Sequence, residues 1–305
     1  MVAVLGGLLA LVAVGFLVRQ VVDSWAEVSA ALETAEYGWL VVAFLLAVLG
    51  MTAIAFGWWR TLLALGGPAG LGTTIARYYV GEIGKYLPGS LWPLIGRGEL
   101  AAGAGVRRPI AYSSVAVSLI ALYLAAGLFV VATLPFLAGD EVPLWPLLAV
   151  PIGIALLASP VLDRARDLAE RVLKRPIEVV FPRHTTRARL VAVYLPSWLL
   201  IGLATWAVAR ALVPDVPVAP TVAAAVLSWL AGFVAVPVPG GVGVREAVFV
   251  AAAPPDLPTG IAAAIALAAR LLFVAVDAGG WAVGTAVVAA ERRPADEQPA
   301  AGDDQ

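Results

Sequence analysis

Val236-Pro237-Val238-Pro239-Gly240-Gly241-Val242-Gly243-Val244-Arg245-Glu246 breaks an apolar stretch with two prolines and three glycines, then sets down a charged pair. Proline inside a helix removes a backbone donor and clashes with the preceding turn, and glycine lowers helix propensity further. Irregular backbone and charge are both costly in lipid unless protein or a wet cavity surrounds them. A second stretch has the same grammar. Tyr86-Leu87-Pro88-Gly89-Ser90-Leu91-Trp92-Pro93-Leu94-Ile95-Gly96-Arg97 follows Glu82, Gly84 and Lys85 and runs on to Glu99. A chain that carries both features twice is expected to handle something polar inside the bilayer, which points to transport.

These interruptions matter because the rest of the chain is so apolar. It is 61% hydrophobic and 13% charged, with a mean hydropathy of +0.92; a soluble domain has roughly a quarter charged residues. Apolar runs at 2–18, 39–57, 112–137, 144–160, 190–213, 218–236 and 259–289 approach or exceed the roughly 20 residues a crossing needs. The expected class is all-α: a polytopic membrane protein of about seven or eight transmembrane helices, with broken or re-entrant segments at 75–100 and 237–253. Gly243 to Ala253 is too short to cross alone at ~1.5 Å per residue and completes a crossing only by joining the unwound stretch before it. Residues 1–290 form the expected membrane domain and 291–305 a disordered polar tail. Met1 to Val18 lacks a basic n-region and a small-residue cleavage site, so it reads as a retained helix.

Charge orients the spans. Residues 19–38 hold Arg19 against Asp23, Glu27, Glu33 and Glu36, and 138–143 hold only Asp140 and Glu141. Arg60, Arg77, Lys85, Arg97, Arg107 and Arg108 dominate the next polar region, and Arg164 to Arg189 the later one. The positive-inside rule puts both basic regions and the N-terminus in the cytoplasm, in a multi-pass protein of the cell membrane. If 237–253 crosses, the favoured reading, Asp256 is outside and Arg292 and Arg293 inside; if it re-enters, the C-terminus is outside. Apolar Leu162, Ala165, Ala169, Val172 and Leu173 among basic residues suit a helix lying in the interface or a plain solvated connector.

Several chemistries are excluded. The chain has no cysteine, and its one histidine, His184, sits in a basic loop without a second histidine, so no metal site or cofactor is expected. No nucleophile elbow, His-Glu-x-x-His or Gly-Lys-Ser/Thr phosphate loop is present. No catalytic residues are assigned, and the chain is not expected to be an enzyme.

The candidate binding residues are the charges at and within the apolar segments. Arg270 and Asp277 lie in the run 259–289 and, seven residues apart, share a helix face about 10 Å apart along the axis. Each is expected to find a partner on another helix or in a cavity. Arg245 offers a bidentate fork suited to phosphate beside a helix N-terminus near Gly243. Glu246 cannot share a face with Arg245 and is expected to pair elsewhere, with Arg270 a candidate. Arg97, Glu82 and Lys85 are the matching charges of the first motif. Pro88, Gly89, Pro239, Gly240, Gly241 and Gly243 form the backbone hinges. Tyr86 and Trp92 suit the headgroup level. The recurrence suggests a paired site, both motifs cytoplasmic, in a parallel repeat. Read without function, the same charges are packing pairs and interfacial side chains snorkelling to water.

At Gly84-Lys85-Tyr86-Leu87-Pro88-Gly89 with Trp92-Pro93 and Arg97, and at Pro237 to Glu246, the sequence resembles the lysylphosphatidylglycerol synthase transmembrane-region, or flippase-like, family. The resemblance spans about residues 1–290. It implies a membrane region of the kind taken to move aminoacylated phosphatidylglycerol between leaflets, without the cytoplasmic domain that transfers the amino acid from tRNA. The leading expectation is a flippase or scramblase-like transporter. A phospholipid or polyprenyl-phosphate headgroup would cross through a charged cavity, with Arg245, Arg270 and Arg97 on phosphate. Glu246, Asp277 and Glu82 would balance them or meet a cationic group. The alternative is a non-catalytic partner of a membrane glycosyltransferase or lipid-modifying enzyme. A third reading is an enzyme on lipid-linked sugar using Glu82, Glu246 and Asp277 as acid or base. The expected partners are membrane lipids and a membrane enzyme, not nucleic acid.

Overall fold

Long runs of Leu, Val, Ala and Phe that bury their own backbone polar groups can only be helical in lipid, and the computed structural model is helical accordingly. It describes residues 19, 22, 23, 25–86, 92–138, 180, 182, 184–234 and 241–291. Among these the elements are α1 (Trp25–Glu33), α2 (Gly38–Ala64), α3 (Leu71–Glu82), a 3-10 turn (Ile83–Tyr86), α4 (Trp92–Ala102), α5 (Arg108–Ala138), α6 (His184–Leu212), α7 (Val218–Val234), α8 (Val244–Ala252) and α9 (Thr259–Glu291). The expected spans 2–18 and 144–160, the segment 162–175, the tail beyond Glu291 and four hinge residues (Pro88, Gly89, Pro239 and Gly240) lie outside the described residues.

Four of the helices are long and apolar enough to cross a membrane: Gly38–Ala64, Arg108–Phe136, Thr185–Leu212 and Thr259–Glu291. They match four expected runs, and the chain is a multi-pass membrane protein. Their packing relies on small residues, as expected where lipid removes the hydrophobic drive between helices. Ala43, Ala47 and Ala55 of α2 and Ala204 and Ala207 of α6 have no exposed surface. At Gly57 a Cβ would stand 2.2 Å from the Tyr194 ring. Gly57→Ala is therefore expected to destabilise the protein by about 1–3 kcal/mol, the range for overpacking, read as a lower thermal midpoint in detergent. Gly127→Ala, with open space at its Cβ, is expected to be neutral or slightly stabilising. Indole donors tie α5 to its neighbours: Trp58 Nε1 donates to Ser114 Oγ at 3.0 Å, and Trp198 Nε1 to the Leu122 carbonyl at 2.8 Å.

Ion pairs mark the two ends of the bundle. Arg210 at the end of α6 meets Glu36 just before α2 at 3.0 Å, and Trp39 and Trp206 pack edge-on nearby. At the other end Arg77 of α3 meets Glu291, the last residue of α9, at 2.5 Å. Helix α9 runs antiparallel to α3: Gly284 packs on the Ala76 carbonyl and Gly280 on the Tyr79 ring. Going deeper into the bundle, Lys85 reaches Asp277, near the middle of α9. Ala101, in the last turn of α4, and Ala104, just beyond it, return to the cavity that Arg77 and Glu291 line. Thus α3 and α4 form a hairpin that enters and leaves at the Arg77 end.

The second hairpin enters from the opposite end. Helix α7 starts beside α6 at the Glu36 end, where Trp206 Nε1 donates to the Val216 carbonyl at 3.2 Å. It stops half-way, with Trp229 against Trp198 and Phe273 and Phe233 stacked on Tyr123, all from central turns of α6, α9 and α5. Helix α8, nine residues long, turns back, and Ala252 and Leu257 join Val28, Ala31 and Trp39 in the core of the Glu36 end.

This corrects two expectations. The motifs are not on one side in a parallel arrangement, and among the described residues neither α7 nor α8 crosses the bundle. Loop charge cannot distinguish two crossings from two half-depth legs, because both return the chain to the same side. For that reason the outcome at the ends is unchanged. The segment before α9 lies at the Glu36 end and Glu291 at the opposite one, as the favoured crossing required.

Candidate functional site

Both hairpin tips arrive at α9, one at each of its buried charges. Arg270 Nη1 donates to Glu246 Oε1 of α8 at 2.6 Å. Nearly two turns on, Asp277 Oδ2 takes Lys85 Nζ at 2.7 Å and accepts from the Tyr86 hydroxyl at 2.6 Å. Lys85 also reaches back to Glu82 Oε1 at 3.4 Å. Glu246 and Asp277 are 3% and 2% exposed. Carboxylates buried this deeply persist as charges only when paired and hydrogen-bonded.

Local sequence explains the geometry of the α8 tip. Gly241 and Gly243 have φ of +63° and +82°, a region that suits glycine. A Cβ on Gly241 would lie 2.7 Å from the Gly232 carbonyl oxygen, and one on Gly232 would lie 2.0 Å from Arg245 Cγ. Only glycine lets the returning chain lie this close to α7. The helix then starts at Val244, and the Glu246 side chain turns back so that its Oε2 accepts the Gly243 N–H at 2.5 Å. The helix start near Gly243 was expected, but the open anion site there was not found. The protein's own carboxylate meets that N-terminus, as in half of a capping box.

The two remaining arginines face no carboxylate within ion-pair distance among the described residues. Arg245 lays its guanidinium on the Trp229 ring, 3.4 Å from the centroid. Arg97, 4% exposed, donates from Nε to the Pro93 carbonyl at 3.2 Å and sits 5.2 Å from the Tyr78 ring centroid. Arg245 directly precedes Glu246, whose partner is Arg270. Thr205, Ser228, Arg245, Glu246 and Arg270 line one part of a cavity of about 30 Å³, and Trp229, Phe249 and Phe273 line another.

The charged candidates therefore gather at two places on α9, Glu246 with Arg270 and Lys85 and Glu82 with Asp277, while Arg245 lies on Trp229 and Arg97 behind Gly81. Trp229 and the Ser228 and Thr205 hydroxyls were not anticipated, since nothing local to them signals a distant arginine. Tyr86 was placed at headgroup level, but its hydroxyl is spent on Asp277. Three carboxylates and four cations lie at and beside the two tips, and among the described residues Asp277 Oδ1 is buried without a hydrogen-bond partner.

A family model described as Lysylphosphatidylglycerol synthase TM region matches residues 3–278. The matched stretch takes in both hairpins and ends one residue beyond Asp277. No curated protein matches. The chain belongs to that family.

Proposed function

We propose that this member of the Lysylphosphatidylglycerol synthase TM region family is a lipid flippase, moving a phospholipid or polyprenyl-phosphate headgroup between leaflets of the cell membrane without catalysis. One observation carries the reading: two hairpins entering from opposite ends bring a buried charge cluster to the middle of a single long helix. Broken segments meeting at mid-depth around charge are what a polar passage through lipid requires. By the positive-inside rule, the Arg77 end, with Arg60, Arg107 and Arg108, faces the cytoplasm.

The pairing supports an exchange mechanism. A phosphate oxygen approaching Arg270 competes with Glu246. Glu246 is not stranded when displaced, because the Gly243 N–H still holds it. Arg245 adds a second fork to the same oxyanion. The headgroup thus replaces one charge contact with another while its acyl chains stay in the bilayer. The test is movement of fluorescent lipids in proteoliposomes, wild type against Arg245→Ala/Arg270→Ala. Protein-dependent movement is expected, with a loss of at least about tenfold in the double variant, the scale of one charged hydrogen bond. Unchanged movement in a folded double variant would remove these roles.

The complete internal pairing of Glu246 and Arg270 also favours a second reading, in which the cluster fixes packing in a non-transporting partner of a membrane enzyme. No lipid movement from folded protein, with a stoichiometric enzyme on purification, would select it.

A further inference from the structure

The geometry points to a monatomic anion, a halide such as chloride, resident in the cavity between Arg245 and Arg270. Such an ion fills the closed cavity whether or not the cluster moves lipid, so it goes beyond the transport reading and does not rest on it. The unmet demand in the cavity is for an acceptor. Two guanidiniums line it, each with five N–H donors. Among the described residues Arg270 places one of these on Glu246, while Arg245 makes no hydrogen bond and lies on the Trp229 ring, 3.4 Å from its centroid. A guanidinium lying flat keeps free the edge that carries its N–H groups. Glu246 is already engaged, with one oxygen on Arg270 and the other on the Gly243 N–H.

Charge and size select the occupant. Arg245, Arg270 and Glu246 sum to one positive charge against the buried rings of Phe249 and Phe273. A water would satisfy N–H groups and leave that charge uncompensated, which is costly in such surroundings. The other tip, where Lys85 meets Asp277 and Glu82, is net negative. It lies about 10 Å along the rod, where attraction is well below its contact value, and it offers Arg245 no acceptor. The Ser228 and Thr205 hydroxyls donate to the Ala225 and Ile201 carbonyls at 2.7 and 3.2 Å. A hydroxyl rotates to suit its partner, and the longer Thr205 bond is given up at the lower cost. The volume of about 30 Å³ has room for a water-sized body. A halide is of that size and a phosphate group is larger.

The experiment is tryptophan fluorescence of the full chain in detergent, titrated with sodium bromide against sodium gluconate at constant ionic strength. Bromide quenches indoles as a heavy atom, and Trp229 lines the site. Exposed indoles such as Trp25 and Trp281 are quenched in proportion to bromide, whereas a bound ion adds a component that saturates. Wild type is expected to show that component and Trp229→Phe to lose most of it. Arg245→Ala should need at least about tenfold more bromide to reach it, the scale of one charged hydrogen bond. Chloride should displace the bromide, and inorganic phosphate at equal concentration should not. If Arg245→Ala does not fold, wild type and Trp229→Phe still decide. Purely proportional quenching in wild type, or a saturating component undiminished in Trp229→Phe, overturns the inference. Displacement by phosphate as readily as by chloride overturns the monatomic assignment. Saturating quenching without lipid movement in proteoliposomes would defeat the transport reading alone; lipid movement without saturating quenching would defeat only the halide site.

Discussion

Glu246→Ala is expected to cost more stability than any other single substitution in the α7–α8 hairpin. Its carboxylate answers two groups at once, the Arg270 guanidinium and the Gly243 N–H. Deleting one partner of a buried ion pair costs about 3–5 kcal/mol, because the other charge is left uncompensated. The lost cap adds about 1 kcal/mol. Thermal unfolding in detergent, followed by tryptophan fluorescence, should show the drop. Glu246→Gln, which keeps an acceptor for the Gly243 N–H, should fall between. Adding Arg270→Leu to Glu246→Ala should recover much of the loss, since the stranded charge goes with it; that non-additivity measures the coupling. A midpoint no lower than that of Gly127→Ala would show that the pair does not hold the hairpin.

Asp277→Ala is the second large effect, and it separates packing from transport. The residue is 2% exposed and receives both Lys85 and Tyr86, so its loss strands a half-buried ammonium at a cost of about 3–5 kcal/mol. Glu82, at 3.4 Å from Lys85, offsets part of this. Lys85→Met/Asp277→Leu removes both charges and should regain most of the stability. If the cluster is a passage for a headgroup, that stable double variant still moves lipid at least about tenfold more slowly than wild type. Full lipid movement in the neutral double variant would reduce the pair to packing.

The membrane class was legible because twenty-residue apolar runs have no other stable form in lipid, and α2, α5, α6 and α9 lie where those runs fall. The need of Arg270 and Asp277 for partners on other elements was legible too, from a seven-residue spacing and the cost of lone charge. Identifying Glu246 for Arg270 followed from its facing away from Arg245. The depth of α7 was not legible, since seventeen apolar residues read alike whether the helix crosses or stops at Trp198 and Tyr123. That error carried over to the direction of the second hairpin. The Trp229 seat of Arg245 and the Tyr86 bond to Asp277 depend on tertiary approach between distant segments, which helical periodicity does not encode.

Helix α9 carries no proline and runs unbroken from Thr259 to Glu291, with Arg270 and Asp277 on one rod. An axial movement of that rod would act on both tips at once. A slide of one turn, about 5.4 Å, would part Glu246 from Arg270 and Lys85 from Asp277 in the same movement. Whatever free energy an occupant at one tip contributes to that displacement must appear, with equal size, in the affinity of the other tip. A substitution that eased such a slide at one tip would then shift the balance at the other.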